Sequence, residues 1–135
     1  MPSKHHKPNW IPIAERLAVY LRDNFTCLYC GSSLISYKPF DITLDHLKCR
    51  ERHGANRDFR NLVTACRKCN SKRGSKEWYD YATGGARDRI QRQRRKGMVY
   101  FLRLAKAILT GKIGNPELEQ QRCFERFRKV KKVKS

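Results

Sequence analysis

The sequence predicts an α+β fold in which two cysteine knuckles bracket a pair of short strands, with one helix before them and basic helices behind. Three observations carry this reading. Two Cys-x-x-Cys pairs, Cys27/Cys30 and Cys66/Cys69, stand either side of the stretch 31–65. Inside that stretch Ile42-Thr-Leu-Asp-His-Leu47 and Leu62–Ala65 have the β-branched and aliphatic content of strands. Outside it, apolar residues recur at helical spacing.

Taken in order, Ile13 to Arg22 reads as a helix: Ile13, Leu17, Val19, Tyr20 and Leu21 form its apolar face, and Glu15, Arg16 and Arg22 its exposed one. Pro12 suits the start, where no amide donor is needed, and Asp23-Asn24 ends it. Phe25 to Gly31 then runs an extended segment into a tight turn. Arg50 to Arg60, polar and broken by Gly54, reads as a loop between the strands. From Asn70 a helix carrying Lys72, Arg73, Lys76, Trp78, Tyr79 and Tyr81 is expected to run to Thr83-Gly84-Gly85. One long helix comes next, basic from Arg87 to Lys96, packed through Met98, Phe101, Leu102, Ala105, Ile108 and Leu109, and stopped by Gly111 and Gly114. A last helix opens at Asn115-Pro116, with Leu118, Cys123, Phe124, Phe127 and Val130 as its apolar face. The division expected is 1–12 flexible, 13–83 a metal-stabilised domain, and 84–135 a basic helical extension.

The chain has 135 residues, with 31 Lys and Arg against 12 Asp and Glu, a formal net charge of +19. That excess repels itself, so it points to a polyanionic partner, with nucleic acid ahead of a membrane surface. No stretch reaches transmembrane length and the N-terminal residues do not read as a secretory signal, so an intracellular setting is expected. In a reducing compartment paired cysteines favour metal over disulfides. Tetrahedral zinc takes thiolates readily, and four of them close its shell. Cys27, Cys30, Cys66 and Cys69 are therefore expected to hold a structural Zn2+ ion. Cys49 and Cys123 lack such a partner and read as packed hydrophobes, and His5 and His6 read as solvated.

Between the knuckles lie Asp45, His46 and Asn61, with Asn70 directly after the last cysteine. Phosphodiester hydrolysis needs a base for water, a cation for the developing charge, and a group that orients the base. His46 titrates near neutrality and can take a proton. Asp45 offers a hard oxygen to a magnesium-type ion, and Asn70 can add an amide oxygen. Successive strand residues face opposite ways, so the strand must end or twist here for both Asp45 and His46 to serve one site.

Cys27-x-x-Cys30, Leu44-Asp-His46, Gly54, Asn61-Leu-Val and Cys66-x-x-Cys69-Asn70 together resemble the HNH endonuclease family, in the subgroup with a four-cysteine zinc site. Tyr20 to Cys27 and Asn70 to Gly74 resemble that subgroup too. The resemblance covers about Arg16 to Ala82 and implies a ββα-metal fold, two strands and a helix around one divalent ion. By position it implies His46 as general base, Asp45 as the metal-binding residue before it, and Asn61 as the brace that helps orient the histidine. Asn70 stands where the family's last His usually sits, and Cys49 where many relatives have Pro. The implied activity is metal-dependent hydrolysis of DNA, with Mg2+ or Mn2+, or another divalent ion, at Asp45 and Asn70.

Lys72, Arg73, Lys76, Arg92, Arg94 and Arg95 are then the expected contacts to DNA phosphates, which position a duplex without reading its sequence. RNA stays open as a substrate, and so do a homodimer and a larger nucleoprotein assembly. Two other classes compete: a non-enzymatic zinc module that binds nucleic acid, and a basic scaffold whose C-terminal helices form a protein interface.

Overall fold

The computed structural model describes residues 11–38, 41–48 and 58–111. Helix α1, Ile13–Arg22, opens after Pro12, whose carbonyl accepts from Arg16 N at 3.0 Å. It buries Leu17, Ala18, Val19 and Tyr20. Asn24 and Phe25 then take left-handed backbone, at φ 56° and 50°. For a bulky side chain that costs on the order of 1–3 kcal/mol; burial of the Phe25 ring beside Tyr20, centroids 6.0 Å apart, offsets it.

Strands β1, Ile42–His46, and β2, Leu62–Cys66, form a two-stranded antiparallel sheet. Ile42 lies opposite Cys66 and His46 opposite Leu62. A 3-10 turn at Phe59–Asn61 leads into β2. All five residues of β2 are buried, because α1 and the helices Arg67–Arg73 and Gly84–Arg94 all pack against it. Two isolated hairpin strands would be marginal in water, so this packing holds the sheet.

The end of α1 departs from the pattern expected of it. Arg22, expected on the exposed face, is buried, and its guanidinium pairs with Asp23 at 2.7 and 3.0 Å. It also donates to Phe59 O at 2.9 Å and Leu62 O at 2.6 Å, while Asp23 accepts from Thr64 N at 2.9 Å. The five donors of an arginine satisfy carbonyls where the 3-10 turn meets β2, which periodicity alone does not reveal.

Helix α2, Arg67–Arg73, starts directly after β2 rather than at Asn70, because Cys66 caps it by accepting from Cys69 N. It ends at Gly74, whose φ of 55° favours glycine. The single helix expected from Asn70 to Thr83 is thus two, with α3 at Trp78–Tyr81. Gly84 and Gly85 open α4, Gly84–Arg94, instead of ending a helix. They sit in the first turn, where amides need no intrahelical partner, and buried Ala86 and Ile90 anchor the remaining turns. The long helix expected across 87–109 also divides at 95–97, where the chain turns to bury Met98 before α5, Val99–Leu109. Ala105 and Ile108 are buried, and α5 packs against α1, so these helices share the core of the knuckles and sheet. Gly111 ends α5 at φ 79°. The final helix from Asn115, Gly54, Gly114, Cys49, Cys123, His5 and His6 lie outside the described residues. No helix among those described is long and apolar enough to cross a membrane.

Candidate active site and zinc centre

The first knuckle is shaped by its backbone. Thr26 bridges to Ser33, Cys27 N donates to Ser32 O at 2.9 Å, and Gly31 N donates to Cys27 O at 2.8 Å with Gly31 at φ 79°. Leu28 N donates to Thr64 O at 3.0 Å, which ties this knuckle to β2. The second knuckle is the first turn of α2. Each has a backbone amide aimed at sulfur, Cys30 N to Cys27 Sγ at 3.5 Å and Cys69 N to Cys66 Sγ at 3.3 Å. The four sulfurs lie within 4.8 Å of one another, and all four thiols are free.

Zinc–sulfur bonds of about 2.3 Å need sulfurs roughly 3.8 Å apart, so a small contraction closes a tetrahedron. The thiols also fit a metal in their protonation. Burial pushes Cys27 up, and burial with its contact to Cys66 raises Cys69 to about 11. For Cys30 burial acts upward too, but hydrogen bonds with Ser32, Cys27 and Cys69 outweigh it and bring the thiol down to about 7. A dication among the sulfurs would remove the penalty on the buried pair. This is the only cluster of this kind among the described residues.

A second centre lies at the end of β1. Asp45 is buried, and its Oδ2 accepts from the Tyr29 hydroxyl and from Arg73 Nη1, the latter at 2.7 Å. Its Oδ1 enters no hydrogen bond among the described residues. Burial first, and then the nearby Asp45 charge, push Tyr29 well above the usual phenol range, so it is a neutral donor. Asn70 reaches across to β1, donating from Nδ2 to Thr43 Oγ1 at 3.0 Å and Leu44 O at 3.2 Å. Its Oδ1 likewise makes no hydrogen bond among the described residues.

Asn61, buried, grips the segment after His46. Its Oδ1 accepts from Lys48 N at 2.9 Å, its Nδ2 donates to Lys48 O at 3.0 Å, and its own carbonyl accepts from Leu47 N at 2.9 Å. His46 is half-buried with Nε2 shielded from solvent, and is the last residue of the ladder. The ladder keeps its register through Asp45 and His46, so the pleat turns their side chains to opposite faces.

Two hard oxygens, Asp45 Oδ1 and Asn70 Oδ1, suit a small divalent ion in chemistry. Such an ion would share Asp45 with the Arg73 guanidinium, which lowers its affinity there.

The expected phosphate contacts divide. Lys72, Lys76, Arg92 and Arg95 are exposed or half-exposed. Arg73 is not, and its assignment to DNA is corrected: the buried guanidinium spends four of its five N–H donors inside the protein, on Asp45, His46 O, Leu47 O and Lys76 O. Arg94 is partly withdrawn, donating to Arg60 O at 2.7 Å and Gln91 at 3.4 Å, and burial lowers its pKa. Two residues of the site carry no signal in the sequence. Tyr29 lies between two zinc-type cysteines, and its position names no partner. Arg89, within a run of arginines, donates from α4 to Leu28 O at 3.1 Å and Tyr29 O at 3.4 Å and so pins the first knuckle.

No curated protein and no solved structure matches the chain. A family model does, that of the HNH endonucleases, over residues 27–76. The match begins at the first cysteine of the zinc cluster and takes in both strands and α2. Residues 27–76 thus match the HNH endonuclease family, over a stretch built on a two-stranded sheet and bracketed by four cysteines positioned to form a zinc site.

Proposed function

We propose that the protein is a metal-dependent endonuclease that hydrolyses DNA phosphodiester bonds, with His46 as general base and a divalent ion held by Asp45 and Asn70. The observation that carries this reading is that Asp45 Oδ1 and Asn70 Oδ1 take no hydrogen bond among the described residues, next in chain and fold to a histidine whose following backbone is gripped by Asn61. Magnesium or manganese would supply Lewis-acid neutralisation of the scissile phosphate and leaving oxygen.

The protein's own residues do the rest. His46 accepts the proton of a water as it attacks phosphorus, and its ring is kept in place because the backbone on either side of Leu47 is tethered. The scissile phosphate sits at the open end of β1, the one place where residues on opposite faces of a strand can both reach it. Lys72, Lys76, Arg92 and Arg95 hold flanking phosphates, and because those contacts are ionic, binding weakens steeply with salt. RNA is the less favoured substrate, and the single set of site residues makes strand nicking the elementary event.

The second reading is a nucleic-acid-binding zinc module without catalysis, favoured by the occupation of Asp45 Oδ2 by Arg73 and Tyr29. Supercoiled plasmid with Mg2+ or Mn2+ decides between them. The expected result is nicking that EDTA abolishes and that His46→Ala slows by about 10²–10⁴. Equal cleavage by the mutant refutes His46 as base, and salt-sensitive binding with no cleavage in any metal supports the module.

A further inference from the structure

Arg73 is the most heavily used side chain near the candidate site, and no catalytic role expected of the sequence includes it. Nη1 donates to Asp45 Oδ2 at 2.7 Å and to His46 O at 2.8 Å, Nη2 to Leu47 O at 2.8 Å, and Nε to Lys76 O at 2.8 Å. One guanidinium thus binds the carboxylate of the candidate ion ligand and the carbonyls of the candidate base and of the residue after it. From the other side, Asn61 holds Leu47 N and both polar groups of Lys48. The stretch from His46 to Lys48 is gripped from α2 and from the 3-10 turn before β2 together.

We propose that Arg73 is a positioning residue for this site: it fixes the backbone that carries His46 and holds Asp45 by one oxygen, leaving Oδ1 alone to meet an ion, without itself touching DNA. The proposal rests on the nuclease reading. Lysine cannot replace the fork. Its single ammonium has no planar set of donors to span Asp45 and two successive carbonyls. The same contact opposes ion binding, since a divalent ion at Oδ1 and the guanidinium at Oδ2 repel one another across one carboxylate. Removing the charge while losing the grip should therefore tighten the ion and slow the reaction, two effects that general loss of structure would not produce together.

The test uses the full-length, zinc-loaded protein with Arg73→Lys and Arg73→Met. Turnover and KM are measured on plasmid, DNA Kd by fluorescence anisotropy in EDTA, and Mn2+ binding by the loss of the free-ion paramagnetic resonance signal. Arg73→Lys is expected to lower kcat by roughly 10- to 100-fold, as misplacement of a catalytic group does, with DNA Kd within about twofold. Arg73→Met is expected to bind Mn2+ about tenfold more tightly while kcat stays low, from relief of the like-charge repulsion. Unchanged kcat in Arg73→Lys overturns the proposal, and so does a loss confined to DNA Kd, which would make Arg73 a phosphate contact. Mn2+ affinity that does not rise in Arg73→Met overturns the shared-carboxylate argument.

If the wild type cuts no DNA in any metal, the nuclease reading fails while the Mn2+ titration still decides whether Arg73 and the ion compete for Asp45. If neither Arg73 variant folds, Tyr29→Phe serves, because it removes one hydrogen bond from the same Oδ2 and leaves the guanidinium in place. Its kcat should fall about tenfold at constant DNA Kd, and wild-type turnover there overturns the claim that Asp45 orientation matters.

Discussion

Asn61→Ala separates the folding and catalytic parts of the brace behind His46. The substitution deletes two hydrogen bonds, to Lys48 N at 2.9 Å and from Nδ2 to Lys48 O at 3.0 Å, from a side chain that is 4% exposed. Each is worth about 0.5–1.5 kcal/mol net. Lys48 itself is exposed, so its freed amide and carbonyl recover part of that from water, and the expected loss is about 1–2 kcal/mol. For a chain of this size that lowers Tm by roughly 4–8 °C. The main-chain bonds at Asn61, to Asp58 O at 2.8 Å and from Leu47 N at 2.9 Å, survive, so the variant should still fold. Plasmid cleavage should nonetheless fall by about 10²-fold, because the backbone after the base loses one of its two grips. Asn61→Asp is the matched control: it keeps the acceptor for Lys48 N but sets a carboxylate oxygen against Lys48 O, and should do no better than alanine. Thermal unfolding with zinc present and initial nicking rates give both quantities. A Tm within a degree of wild type, or wild-type nicking by a destabilised Asn61→Ala, would refute the coupling between brace and base.

Two other outcomes are expected. Asp23→Asn breaks a pair with no exposed side-chain surface and should cost about 3 kcal/mol, read as a fall in denaturation midpoint at constant m; a loss below about 1 kcal/mol would mean that Arg22 finds its partners elsewhere. Zinc uptake should release protons, because the metal-free fold holds Cys27 and Cys69 above their ordinary range. Both carry protons at pH 7 and lose them to the metal, so apparent affinity should rise by at least about 100-fold per pH unit through neutrality; a competition titration with a chromophoric chelator that finds a pH-independent affinity refutes this.

The two knuckles and both strands are legible in the sequence because their signals are local: cysteine spacing, and β-branched and aliphatic residues at the positions that bury β2. The helices are legible in composition but not in extent. Gly74 at positive φ splits one segment, and the need to bring Met98 and α5 onto α1 splits another, and that need belongs to the tertiary fold. Arginine misleads most. Arg22 reads as exposed in the sequence, Arg73 as a phosphate contact and Arg89 as one charge of a basic run, yet each donates to carbonyls beside the sheet or a knuckle, where the turns leave acceptors without ladder or helix partners. In a chain of +19 the excess charge is thus partly internal mortar, and only part of it is free for a polyanion. At the candidate site, Asp45, His46, Asn61 and Asn70 can be named from their order in the chain. Tyr29 and Arg73 cannot, since their role depends on which carboxylate the fold sets before them.

The strand pairing has a consequence for how the molecule assembles. Cys66 closes β2 opposite Ile42 and is also a zinc-type thiol, so hairpin register and metal capture are one geometric condition. A hairpin slipped by one residue would present the wrong side chain at every position of β1, exchanging the places of Asp45 and His46, and would also draw Cys66 out of reach of the first knuckle. Zinc can therefore act as a proofreader: only the chain whose strands are correctly aligned offers it four sulfurs, and the metal-bound population is by that fact the population in which Asp45 faces Arg73.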